Sequence, residues 1–216
     1  LTEVALKIIQ RIEARARPSG PAGPTPGSGP KPAPEGEGPA TTGGASIADI
    51  GTGSGVIAVT IALKHPAAAV YATDSSPAAL EVARRNAERA GVAKRITFLE
   101  GPLLEPLREA GLAGRLSMIV SNPPYIPSAE IDDLESEVRD FEPRGALDGG
   151  PDGLDCLRRI ADDGPAFLEP GGVIVLEVGD GQADAVRRLL EESLTDTEVL
   201  RDYAGRDRIV TGQRAA

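Results

Sequence analysis

Ser46-Ile47-Ala48-Asp49-Ile50-Gly51-Thr52-Gly53-Ser54-Gly55-Val56 decides the architecture. Ser46–Ile50 is a short, mostly apolar run that reads as a strand, and Val56–Leu63 has helical patterning. The glycines between them allow a tight turn and let a ligand approach the backbone, whose free N–H groups face it at the helix start. Beyond this unit the alternation continues. Ala69–Thr73 reads as a second strand and Pro77–Ala90 as a helix, with Pro77 in its first turn and Gly91 as its stop. Arg95–Leu99 is a third strand. Leu116–Ser121, almost wholly apolar, is a fourth, as expected of a central parallel strand covered on both faces. Asp152–Phe167 reads as a helix, Gly172–Val178 as a strand and Gln182–Glu192 as a helix; Glu198–Asp202 and Asp207–Gly212 close the chain as an antiparallel pair. The pattern predicts an α/β fold with a doubly wound open sheet, whose chemistry belongs in the loops after strands one, two and four.

The rest of the chain sets limits. Its 216 residues suit one domain, and 23 basic against 33 acidic side chains leave a net charge of −10, which disfavours direct nucleic-acid binding. Cys156 stands alone, so neither an intramolecular disulfide nor a cysteine-cluster metal site is expected, and no metal is assigned. No apolar run approaches the ~20 residues of a membrane helix, and Leu1-Thr2-Glu3 does not open a signal peptide. The expected location is cytoplasmic, and the missing initiator Met suggests a start inside a longer protein. Val4, Leu6, Ile8, Ile9 and Ile12 give residues 1–16 a helical apolar face. From Arg17 to Gly44, 8 prolines and 8 glycines fill 16 of 28 positions, which predicts a disordered linker ahead of a domain over 45–216.

Two motifs carry chemistry. Asp49 to Gly55 is followed, 21 residues after Gly53, by Asp74 at the end of the second strand, where a carboxylate can accept both hydroxyls of a ribose. This pair indicates an adenosine-containing cofactor without choosing between a nicotinamide dinucleotide and S-adenosylmethionine. Asn122-Pro123-Pro124-Tyr125 then follows directly on the fourth strand. Two prolines make a rigid turn that can preorganise a catalytic group. The Asn122 side-chain carbonyl and a main-chain carbonyl of the turn can accept both hydrogens of a planar amino group, and Tyr125 can stack on it. Such a clamp aims a nitrogen lone pair along a methyl–sulfur axis, which hydride transfer does not require. His65, before Pro66, reads as a surface cap residue, not a general base.

The Asp-x-Gly-x-Gly-x-Gly stretch, Asp74 and Asn122–Tyr125 resemble S-adenosylmethionine-dependent amino-methyltransferases. Phe141-Glu142-Pro143-Arg144-Gly145-Ala146-Leu147, Gly149-Gly150-Pro151-Asp152-Gly153-Leu154, Leu176-Glu177-Val178-Gly179 and Tyr203-Ala204-Gly205-Arg206-Asp207-Arg208 narrow the resemblance to the release-factor glutamine methyltransferases, the PrmC/HemK family. It implies a Rossmann-like class I methyltransferase domain, with a mostly parallel seven-stranded sheet and an antiparallel C-terminal hairpin. The implied substrate is the glutamine of the Gly-Gly-Gln motif in peptide chain release factors. The resemblance sets S-adenosylmethionine against Asp49, Gly51, Thr52, Gly53, Ser54 and Gly55, with Asp74 on the ribose and Leu103 by the adenine. Asn122, Pro123, Pro124 and Tyr125 would grip the glutamine amide, with Asn122 also bordering the cofactor; Asn122, Pro123 and Tyr125 are the expected catalytic residues. Pro102 stands where most relatives have Asp, the 17–44 stretch is longer than usual, and the family's N-terminal helical domain is not part of the chain. Seven acids and one base between Glu130 and Glu142 suit a protein loop better than a nucleic-acid backbone. The alternatives are an adenine-N6 methyltransferase, which shares the tetrapeptide, and a non-catalytic module that binds the cofactor.

Overall fold

The computed structural model describes residues 1–16, 44–139 and 141–216. Apart from Gly44, the expected linker lies outside them. In the described residues β1 (Ser46–Ile50), β2 (Ala69–Asp74), β3 (Ile96–Glu100), β4 (Leu116–Ser121) and β5 (Leu168–Glu177) run parallel. β6 (Thr195–Arg201) and β7 (Asp207–Gln213) form an antiparallel hairpin, and β7 pairs antiparallel with β5. The seven strands stand in the order β3-β2-β1-β4-β5-β7-β6, so the chain reverses its winding between β1 and β4. A crevice at that reversal is where open parallel sheets of this kind hold ligands.

Successive side chains of a strand point to opposite faces, and the core divides accordingly. Ile47, Val70, Met118 and Val175 face α1 (Thr2–Ala16) and α2 (Val56–Lys64), together with Ala87 of α3 (Pro77–Arg89). Their neighbours Ala48, Tyr71, Ile119 and Ile174 face the other way, onto Leu107 of α4 (Glu105–Glu109). The same side is covered by helices that come later. After the short α5 (Ser136–Arg139) and α6 (Arg144–Leu147), α7 (Asp155–Asp163) and α8 (Ala183–Glu191) bring Leu157, Ile160, Val186 and Leu190 to it. Truncating one of these fully buried aliphatic side chains to Ala costs about 2–5 kcal/mol. The start of α3 follows its sequence: the Ser76 hydroxyl accepts the Ala79 N–H at 3.2 Å and Pro77 opens the first turn.

Two boundaries and the setting of one residue depart from the sequence reading. The helix expected over Asp152–Phe167 is α7 alone, followed by a 3-10 turn at Gly164–Ala166. Gly153 sits at φ 76, outside the helical region, and the Asp152 carboxylate accepts the Leu154 N–H at 3.2 Å, which makes a turn of those residues. β5 starts at Leu168, not Gly172; Leu168 pairs with Leu116 and Val173 with Met118, so the added residues lie within an irregularity of the β4–β5 register. His65 does end α2, its N–H donating to the Ile61 carbonyl, but it is buried and not on the surface.

Candidate active site

The turn between β1 and α2 is built around two carboxylates. Asp49 is fully buried; one of its oxygens accepts the Thr52 hydroxyl at 2.6 Å and the Ala58 N–H at 3.0 Å, and the other oxygen has no partner among the described residues. Burial pushes its pKa up to about 6, against the lowering effect of those two bonds. Asp74 holds the turn from the neighbouring strand: its carboxylate accepts the Gly53 N–H at 2.8 Å and the Ser76 N–H at 2.9 Å. The Thr52 N–H donates to the Thr73 carbonyl, and Asn86 of α3 donates to the Ser54 carbonyl at 2.9 Å. Gly55 is constrained twice, by a φ of 80 and by a Cβ position that would come 2.9 Å from the Ala83 Cβ. At Gly51 and Gly53, with φ 67 and 56, a Cβ would meet nothing within 4 Å, so the space over the turn is open.

Leu103 follows β3 beside this turn. It is a non-glycine residue at φ 47, and its carbonyl accepts the Thr73 hydroxyl at 3.0 Å. A left-handed leucine costs about 1–2 kcal/mol, and such strain concentrates at ligand-holding loops. Pro102 beside it is exposed.

The second half of the site follows β4. The buried Ser121 hydroxyl donates to the Ile50 carbonyl at 2.8 Å, tying the end of β4 to the end of β1. Asn122 comes next and is exposed, and its side chain forms no hydrogen bond among the described residues. Pro123 is buried, while Pro124 and Tyr125 are half-buried. The chain is then pinned by pairing with the segment after α6: the Ile126 N–H donates to the Leu147 carbonyl, the Gly149 N–H to the Ile126 carbonyl, and the Ser128 hydroxyl to Asp148 at 2.6 Å. Burial raises the Tyr125 hydroxyl above its usual range; the Glu177 carboxylate adds to this and the Arg208 guanidinium opposes it. Arg208 is itself anchored, donating to the Val178 carbonyl at 2.9 Å.

Because β1, β2 and β4 are parallel neighbours, Asp49–Gly55, Asp74 and Asn122–Tyr125 gather at one edge of the sheet, with Ile50 opposite both Thr73 and Ser121. Leu103 joins them through Thr73. His65 precedes β2, at the other edge. The exposed acids Glu130, Asp132, Asp133, Glu135, Glu137 and Glu142 follow the Asn122–Tyr125 turn, and Arg144 pairs with Asp132 at 3.3 Å. Gln182, which the sequence reading did not single out, reaches into the site: it accepts the Gly179 N–H at 2.8 Å and donates to the Tyr125 carbonyl at 2.9 Å. A glutamine directly before a helix, where a short polar capping residue is the usual choice, was the available signal.

The open space over Gly51 and Gly53, the carboxylate at the end of β2 and the unpartnered buried oxygen of Asp49 suit a cofactor with a ribose and a positively charged end. What remains is an exposed amide on a rigid turn, able to accept a hydrogen from a second ligand.

Comparison with known proteins bears on the fold and on the relatives of the chain. Residues 39–136 match the family model of the methyltransferase small domain. Over 171 residues the chain is 50% identical to the release factor glutamine methyltransferase of Moorella thermoacetica, covering 78% of this chain and 59% of that protein. It is 46% identical over 170 residues to the same enzyme of Geobacter sulfurreducens, covering 78% and 58%. The chain thus spans somewhat over half the length of these relatives. Among solved structures, a methyltransferase from Pyrococcus furiosus superposes with a TM-score of 0.58 at 18% identity, covering 80% of this chain and 76% of that one. A ribosomal protein L11 methylase from Lactobacillus delbrueckii gives 0.56 at 21%, covering 80% and 71%. The expected class I methyltransferase fold is therefore the observed one.

Proposed function

We propose that this chain, 50% identical over 171 residues to a release factor glutamine methyltransferase, methylates a glutamine side chain in a peptide chain release factor. The donor is S-adenosylmethionine and the target is the amide nitrogen of the Gly-Gly-Gln motif, in the cytoplasm. One observation carries the reading: Asn122 is exposed and its side chain is unpaired among the described residues, on a turn locked at both ends, one strand away from the turn that Asp74 holds. When bound, the cofactor supplies an electrophilic methyl group on a sulfonium. Gly51 and Gly53 leave room for it, Asp74 would accept from the ribose with the lone pairs its backbone bonds leave free, and Leu103 would border the adenine.

The chain's own residues then work by position. The Asn122 carbonyl and a main-chain carbonyl of the turn accept the two amide hydrogens, which draws the nitrogen lone pair out of conjugation. Tyr125 lies against the flat amide. Holding the reactants in line supplies ~7–11 kcal/mol of a barrier in favourable cases. No strong base is required, because the nitrogen becomes acidic once alkylated and loses its proton to the acceptor or to water. The exposed acids after the turn favour a protein loop over a nucleic-acid backbone.

The test is incubation with S-adenosylmethionine and a release factor, with nucleic acid in a parallel arm, followed by mass spectrometry. A single methyl on the Gly-Gly-Gln glutamine is expected. Methyl-adenine in the nucleic-acid arm, or cofactor binding with no methyl transferred to the release factor, would overturn the reading.

A further inference from the structure

We infer that Gln182 is a positioning residue that latches the Asn122–Tyr125 turn in its working geometry. The inference rests on the methyl-transfer function proposed above. Gln182 occupies the cap position of α8, yet its side chain makes no bond to its own helix. Its amide serves three other places instead. The oxygen accepts the Gly179 N–H at 2.8 Å; the nitrogen donates to the Tyr125 carbonyl at 2.9 Å and, more weakly, to the Gly153 carbonyl at 3.4 Å. Only one orientation of the amide meets this set, since the first partner is a donor and the other two are acceptors.

The surroundings are shaped to that side chain. A Cβ at Gly153 would lie 2.3 Å from the Tyr125 carbonyl oxygen and 2.6 Å from the Gln182 nitrogen. A Cβ at Gly179 would lie 2.8 Å from the Gln182 oxygen and 3.0 Å from the Tyr125 ring. Both glycines therefore admit Gln182 and Tyr125 at contact distance, and the latch joins the segment after β4, the turn before α7 and the turn after β5. Tyr125 is held by its peptide through Gln182 and by its ring against Gly179. Asn122 and Pro123 precede it within a segment whose two prolines leave little rotational slack, so the position of the Tyr125 peptide is transmitted to the acceptors.

Two variants separate positioning from general stability. Gln182→Met keeps length and volume but neither donates nor accepts a comparable bond; Gln182→Glu keeps an acceptor for Gly179 and loses both donors. In each, kcat on a release factor should fall by about 10- to 100-fold, the scale of a small misplacement of reacting groups. Cofactor affinity by calorimetry and the melting temperature should stay close to those of the unaltered chain, and amide exchange at Ile126 should accelerate. Unchanged kcat and Ile126 exchange in Gln182→Met would overturn the inference, as would a kcat loss matched by equal losses of cofactor affinity and melting temperature. If the unaltered chain leaves the release factor unmethylated, the proposed function fails, and Ile126 exchange alone then decides whether Gln182 holds the turn.

Discussion

The Asp74 carboxylate accepts the backbone N–H of Gly53 at 2.8 Å, so the acid that ends β2 also holds the turn that ends β1. One side chain thereby shapes the floor of the proposed cofactor site and keeps lone pairs that would accept from a ribose. Asp74→Ala removes both roles, and a loss of cofactor affinity of about 10- to 100-fold is expected, on the scale of losing one or two charge-assisted hydrogen bonds. Titration calorimetry with S-adenosylmethionine measures it; an unchanged affinity would rule out the ribose assignment.

Among the described residues the Asn122 side chain makes no hydrogen bond, so removing its amide should leave the fold alone. Asn122→Ala is expected to lower kcat by about 100- to 1000-fold, the usual cost of deleting one preorganised polar group at a reacting centre. Cofactor affinity and melting temperature should change little. Turnover near that of the unaltered chain would show that the amide clamp is not the source of rate.

Gly55 combines φ 80 with a Cβ position 2.9 Å from the Ala83 Cβ. Gly55→Ala should therefore destabilise the domain by about 1–3 kcal/mol, read from urea unfolding. Adding Ala83→Gly removes the overlap but not the left-handed backbone, so the double variant should recover only part of the loss. Complete recovery would show that contact, and not backbone conformation, sets the cost.

Asp49 gives a pH dependence opposite to that of most carboxylates. Its folded pKa, about 6, is raised above the ordinary value of 3.8 by burial, so between those values the folded state binds the proton more tightly than the unfolded chain. Its contribution to stability therefore improves as pH falls through about 6 and levels off below 3.8. Asp49→Asn cannot titrate. The stability of the unaltered chain relative to that variant should rise by about 2 kcal/mol between pH 7 and pH 4.5, measured by denaturant unfolding at each pH. A flat difference would mean that Asp49 keeps an ordinary pKa in the fold.

The strands and the site-bearing turns were legible because their signals are local. Leu116–Ser121 is apolar on both faces and became the buried β4; the spacing of glycines to Asp74 needed only the order of a strand, a turn and a helix. The start of β5 at Leu168 was missed because its first residues meet β4 through a register irregularity that no local signal reveals. α4 was missed for a related reason: Glu105–Glu109 is a short helix whose Pro106 and Leu107 are fixed by burial more than by any periodic pattern. The one local signal at Gln182, an unusual residue before a helix, did not point to the site, since its partners Tyr125 and Gly153 lie 57 and 29 residues away. His65 offered a correct cap and the wrong environment, because burial depends on what packs over a residue, not on its own chemistry.

The hydroxyl of Ser121 on the carbonyl of Ile50 has a consequence for how such a protein could diversify. The gap between the two half-sites is inherited from adjacent paired strands, about 4.8 Å apart in any sheet, and not from the loops that decorate them. A ruler made of main chain tolerates replacement of every side chain around it. Segments beyond Tyr125 that do not hold the turn as Gln182 does are thus free to be exchanged for others, while the separation between the two turns stays constant.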